Sequence, residues 1–114
     1  EAGIKVVSFD NVVDTDMQVA TVGIDEKEFG RINAEFLVEA LDGKGKIIVL
    51  NGTAGTTTDS LRWEGAEAVF AQYPEIEILG SANADWDYAK GKAAVESMLS
   101  ASVPTVSLMA TKMK

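Results

Sequence analysis

Lys46-Ile47-Ile48-Val49-Leu50 carries four consecutive apolar residues, three of them β-branched, with no polar side chain among them to face water. A run that does not alternate is not the half-solvated strand of an antiparallel sheet. It predicts a central strand covered on both faces, the hallmark of parallel α/β architecture. Helix patterns flank it. On the N-terminal side Asp25-Glu26-Lys27-Glu28 matches a capping box, with Asp25 as N-cap and Glu28 reaching back. Phe29, Ile32, Phe36, Leu37, Ala40 and Leu41 then fall on one helical face, and Asp42-Gly43-Lys44-Gly45 ends the helix with glycine in the left-handed C′ position. On the C-terminal side a Gly- and Thr-rich loop spans residues 51–58, and Asp59 or Ser60 is placed to cap a second helix. That helix turns Leu61, Ala66, Val69, Phe70 and Tyr73 inward and stops before Pro74.

The alternation continues in both directions. Residues 75–82 predict a third core strand through Ile76, Ile78 and Leu79, followed by a short loop and a last helix carrying Tyr88, Ala94, Val95, Met98 and Leu99. Residues 5–9 and 18–24 predict two earlier strands joined by a polar connector, and residues 103–109 a final one that Pro104 confines to a strand start or a sheet edge. Strands alternating with helices over short connections define an α/β fold with a doubly wound parallel sheet.

Composition narrows the chemistry. The chain has 114 residues, 10 basic and 18 acidic, for a net charge of −8. That surface repels phosphate backbones and anionic lipids, so no nucleic-acid partner is expected. Cysteine and histidine are both absent. Thiol nucleophiles, thiolate or imidazole metal sites and a Ser-His-Asp arrangement are therefore excluded, and no metal or cofactor is expected. No apolar run is long enough to span a bilayer.

In open α/β sheets ligands bind beyond the carboxyl ends of the strands. Asp10 and Asn11, Asp25, residues 51–60 and residues 83–87 lie there, and Asp25, Asn51 and Asp87 read first as caps and turn formers. The loop Asn51-Gly52-Thr53-Ala54-Gly55-Thr56-Thr57-Thr58 lacks the lysine of a phosphate-binding P-loop and suits a neutral polyol better. Trp86, between Asp85 and Asp87 in a polar loop, has an indole face able to stack on the C–H face of a sugar while carboxylates accept its hydroxyl protons. The competing reading packs it against the start of the last helix. Arg62 either binds a ligand or pairs with a carboxylate such as Asp59 or Glu64, and Trp63 packs at a helix edge. Acidic residues are plentiful, but no spacing singles out a catalytic pair, so glycoside hydrolysis, and enzyme activity generally, is not expected.

Three motifs occur in order: Ala2-Gly3-Ile4-Lys5-Val6-Val7-Ser8-Phe9-Asp10, then the Gly-Thr loop with Arg62-Trp63-Glu64-Gly65, then Ala84-Asp85-Trp86-Asp87-Tyr88-Ala89-Lys90-Gly91. Together they resemble the ribose-binding-protein-like family of periplasmic sugar-binding proteins that serve ABC transporters, over residues 2–101. The resemblance implies half of a type 1 periplasmic binding protein, flavodoxin-like and incomplete. Residues 1–10 would hold the last strand of an N-terminal domain, 11–17 a hinge segment, 18–101 the first part of a C-terminal domain, and 102–114 an atypical tail. It implies sugar-binding roles for Asp10 and for Asn11, where the family often has arginine. Ser60 falls where the family often supplies a ligand-binding arginine, and Trp86 takes the place of the stacking aromatic. Residues 102–108 keep a proline and a strand-like run but lack the family's Pro-Asp turn and Asn-Asp pair, so the chain reads as a truncated piece.

The expected function is monosaccharide binding for uptake through an ABC permease, in a periplasmic parent protein, with this chain carrying one wall of the cleft and binding weakly. A sugar-sensing domain of a LacI-type transcription regulator, or a non-binding oligomeric fragment, are the alternatives. Residues 5–9 are expected to lack a neighbour within the chain. Such an unpaired strand predicts a homodimer in which that strand or the 103–109 tail adds to a partner's sheet, including by exchange.

Overall fold

The structure is a computed structural model and describes residues 2–10, 13–101 and 106–110. Its elements are β1 (Val7–Phe9), β2 (Ala20–Val22), α1 (Glu26–Ala40), β3 (Gly45–Asn51), α2 (Thr57–Phe70), β4 (Ile76–Asn83), α3 (Tyr88–Ala101) and β5 (Val106–Ala110). β3, β4 and β5 form a parallel sheet in the order β4-β3-β5. Ile47, Ile48 and Val49 of the middle strand are fully buried, as a two-sided apolar run requires. Ile47 and Val49 pack with Ala34 and Val38 of α1 and Ala66, Val69 and Phe70 of α2. By strand alternation Ile48 and Leu50 face the other side, where Leu50 approaches Gly91 of α3 and Met98 approaches Gly80, the β4 partner of Ile48. Helices thus cover both faces, and the sheet is doubly wound. The connection from β3 goes outward to β4, and the next crosses back to β5. That reversal makes the carboxyl end between β3 and β5 a topological switch point.

The helix that precedes β3 corrects three sequence expectations. Asp25 Oδ1 does accept the backbone N–H of Glu28 at 2.9 Å, but the Glu28 carboxylate turns to Arg31 instead of reaching back. That hydrogen bond holds the exposed Glu28 carboxyl below its ordinary value. The buried stripe of α1 is Glu26, Gly30, Ala34 and Val38, whereas Ile32 and Phe36 are exposed. Small residues win that face because α1 and α2 approach closely. A Cβ on Gly30 would collide with the backbone carbonyl of Arg62, and one on Gly65 with the carbonyl of Lys27. At the helix end it is Asp42, with φ of 54°, that takes the first left-handed position ahead of Gly43.

Further differences concern the later elements. α2 is capped by Thr56, whose Oγ1 accepts the N–H of Asp59 at 3.3 Å, not by Asp59 or Ser60. Ile78 is 39% exposed because β4 is an edge strand. Of the expected strand 103–109, residues Val106–Ala110 form β5, an edge strand that runs parallel to its own β3. Pro104 lies outside the described residues.

β1 is not left without a neighbour either. It pairs in parallel with β2, matching Val7 to Ala20 and Phe9 to Val22, in a separate two-stranded sheet. That ribbon leaves its apolar side chains in water, with Phe9 76% and Val22 64% exposed. A compact chain of this length has a radius of gyration of about 13 Å. The observed value is 16.8 Å.

Candidate functional site

Trp86 stands just beyond the carboxyl end of β4, beside the Gly-Thr loop. Its backbone and that of Asp85 are left-handed, with φ of 58° and 50°. For a bulky residue such a conformation costs about 1–3 kcal/mol and persists only where surrounding contacts hold it. Here the Ala84 N–H donates to the Asn51 carbonyl at 2.8 Å and the Asp87 N–H to the Ala84 carbonyl at 2.8 Å. Asp87 Oδ1 accepts the N–H of Lys90 at 2.8 Å and so caps α3. Lys90 Nζ reaches back to Asp85 Oδ2 at 2.6 Å, and that carboxylate holds the exposed ammonium above its ordinary value.

The indole lies so close to Gly52 that a Cβ there would fall among its ring carbons. Gly52 is itself pinned: its N–H donates to Asp59 Oδ1 at 2.5 Å, and its carbonyl accepts from Asn83 Nδ2 at 3.1 Å. Glycine is required here for close approach rather than for backbone freedom. Gly52→Ala is expected to push the indole off its seat, red-shifting tryptophan emission while leaving far-ultraviolet circular dichroism intact. Unchanged emission would show that Trp86 does not depend on this seat.

Arg62 comes from the first turns of α2 and is 7% exposed. Its guanidinium carbon lies 4.4 Å from the Phe29 ring centroid and 5.4 Å from that of Trp86. Among the described residues its carboxylate partner is Glu26, whose Oε2 accepts from Nε at 2.6 Å, rather than Asp59 or Glu64, the two examples the sequence offered. Asp59 is engaged by Gly52, and Glu64 pairs with Lys27. Two buried oxygens at this rim, Glu26 Oε1 and Asn51 Oδ1, make no hydrogen bond among the described residues. On the α3 side a cavity of about 520 Å³ is lined by Leu50, Asn51, Ala84, Trp86, Tyr88 and Val95 among others. Trp86 therefore touches both the cation and the cavity.

The five sequence-derived candidates are not all gathered. Arg62 and Trp86 meet. Ser60 is exposed on the first turn of α2, and Asp10 ends β1 in the other sheet, with φ of 67° and its carbonyl close to Gly23. Asn11 lies outside the described residues. Sequence reasoning missed Glu26 and Phe29 as parts of the rim, and took Gly52 only as one residue of the Gly-Thr loop, not as the seat of the indole. For Glu26 a signal existed, because it heads the i, i+4 stripe of Gly30, Ala34 and Val38. Among the described residues no group of three or more His, Cys, Asp or Glu side chains is arranged to hold a metal ion.

An open parallel sheet wound by helices on both faces, with its aromatic and polar loops at the carboxyl rim, places the chain in the doubly wound α/β class. More particularly, the chain belongs to the periplasmic binding protein domain family, whose model matches residues 1–111. It is 29% identical over 84 residues to the xylitol-binding protein of Mycolicibacterium smegmatis, covering 74% of this chain and 24% of the relative. The D-apiose import binding protein of Actinobacillus succinogenes is 27% identical over 101 residues, covering 88% of this chain and 33% of the relative. Among solved structures, an ABC transporter periplasmic solute binding protein from the same bacterium, with bound D-allose, superposes with a TM-score of 0.88. It is 28% identical, and the match covers 96% of this chain and 41% of that one. The chain thus spans 24% to 33% of the length of these two curated relatives.

Proposed function

We propose that this chain forms one wall of a monosaccharide- or polyol-binding cleft in a solute-binding protein that delivers its ligand to an ABC permease from the periplasm. The observation that carries the reading is Trp86, a large aromatic held in a costly left-handed conformation at the carboxyl rim. Strain of that kind clusters at binding sites, where it fixes a side chain in advance of its ligand. A fixed indole offers a flat apolar face to the C–H face of a sugar ring. The kinship supports the same reading, since the matched relatives are named for xylitol and D-apiose and the matched structure holds D-allose.

In this reading residues 1–10 and 18–101 belong to two domains, with residues 11–17 as the hinge, and β1 and β2 flank the crossing. Asp10, Asn11 and Ser60 add hydroxyl-binding groups once the second domain closes. Each direct hydrogen bond contributes about 1 kcal/mol, so a wall lacking several of them binds orders of magnitude more weakly than a closed cleft. Titrating the chain with D-ribose, D-allose and xylitol by nuclear magnetic resonance is expected to shift the Trp86 indole signal, with affinity no tighter than millimolar. Trp86→Ala is expected to weaken binding at least tenfold without unfolding the chain. Sugar-dependent shifts that leave Trp86 untouched, or micromolar binding by the monomer, would overturn the reading.

The exposed ribbon supports a further part of the proposal: the isolated chain forms a homodimer. The expected contact is face to face through the apolar side chains of β1 and β2, which the ribbon leaves exposed. With a net charge of −8, repulsion between copies is largely screened at physiological salt, where the Debye length is about 8 Å.

A further inference from the structure

We infer that Glu26 is the positioning residue of the rim: its carboxylate sets the plane of the Arg62 guanidinium and, through it, the tilt of Trp86. The consequence for sugar binding rests on the stacking reading above, whereas the effect on Trp86 does not. Glu26 and Arg62 lie on different helices, 36 residues apart, and their side chains are 6% and 8% exposed. They are brought together by the glycine contacts that seat α1 on α2, since Gly30 lies against the backbone of Arg62 itself. A guanidinium is a rigid plane, so a bond at Nε restricts the orientation of the whole group. That plane lies over Phe29 on one contact and Trp86 on the other.

Stability alone does not explain the pair. Desolvating two charges offsets most of their attraction, and apolar side chains of similar volume often do as well or better. The pair is also incompletely satisfied, because Glu26 Oε1 is buried without a hydrogen bond among the described residues. A buried polar atom left in that state requires a reason other than packing. A one-armed contact that aims Arg62 at the indole supplies it.

The test uses the 114-residue chain. The near-ultraviolet circular dichroism of Trp86 is isolated as the signal lost in Trp86→Phe. Glu26→Gln keeps the shape and removes the charge. Glu26→Met combined with Arg62→Met keeps an apolar filling and removes both charges. Both are expected to lose more than half of the Trp86 signal, with the double variant unfolding within a few degrees of the wild type. Both are also expected to bind D-allose, D-ribose and xylitol at least tenfold more weakly. A Trp86 signal unchanged in both variants would overturn the inference. So would failure of the double variant to fold, because a pair that apolar side chains cannot replace is structural. If the wild type binds none of the three sugars, the stacking reading fails, and the circular dichroism still decides whether Glu26 positions Trp86.

Discussion

Gly30→Ala and Gly65→Ala are each expected to destabilise the chain by about 3 kcal/mol or more, at the upper end of what overpacking costs. Each added methyl meets a backbone carbonyl of the facing helix, Arg62 or Lys27, and a backbone cannot rotate out of the way as a side chain would. Relief requires α1 and α2 to separate, which opens the layer in which Ala34, Val38, Ala66 and Val69 are buried against β3. A domain of this size has about 5–15 kcal/mol in all, so the unfolding midpoint is expected to fall by at least ~10 °C. Gly55→Ala is the control. Gly55 has φ of 81° but open space around its Cα, so only the left-handed backbone is penalised, by about 1–2 kcal/mol. Urea denaturation followed by circular dichroism orders the three variants. A Gly65→Ala midpoint at or above that of Gly55→Ala would show that the two helices do not pack this closely.

The second large effect concerns assembly. Phe9→Lys combined with Val22→Lys is expected to convert the proposed dimer to monomer. These residues are cross-strand partners on the exposed ribbon. Removing each apolar side chain from an interface costs about 1.5–3 kcal/mol. In a two-fold interface every substitution counts twice. The dissociation constant is therefore expected to rise at least ~10⁴-fold, before any repulsion between the new lysines is counted. Sedimentation of both proteins at micromolar concentration reads this directly. A wild-type chain that sediments as a folded monomer would refute the dimer.

Much of the scaffold was legible from local pattern. The run Ile47 to Leu50 announced a strand buried on both faces, and its neighbours announced helices, because burial on two sides demands apolar residues at every position. Asp25 was legible as an N-cap because the bond it makes reaches only three residues along the chain. The placement of Trp86 followed from strand order, since the loop after a parallel strand always lies at the carboxyl rim.

What the tertiary structure alone decided involves partners far apart in sequence. α1 offers two stripes to a neighbour: a larger apolar one through Ile32 and Phe36, and a smaller one through Gly30, Ala34 and Val38. Hydrophobicity favours the first, but Gly65 on α2 allows a closer approach that only the second can match. The same approach chose Glu26 for Arg62 over the nearer Asp59 and Glu64, whose carboxylates were taken by Gly52 and Lys27. Likewise β1 found a neighbour in β2 through backbone hydrogen bonds, which carry no side-chain signature. Periodicity, capping and turn chemistry act over three or four residues and are written locally. Which face meets which, and which charge meets which, depends on the shape of the partner, and that exists only once the chain has folded.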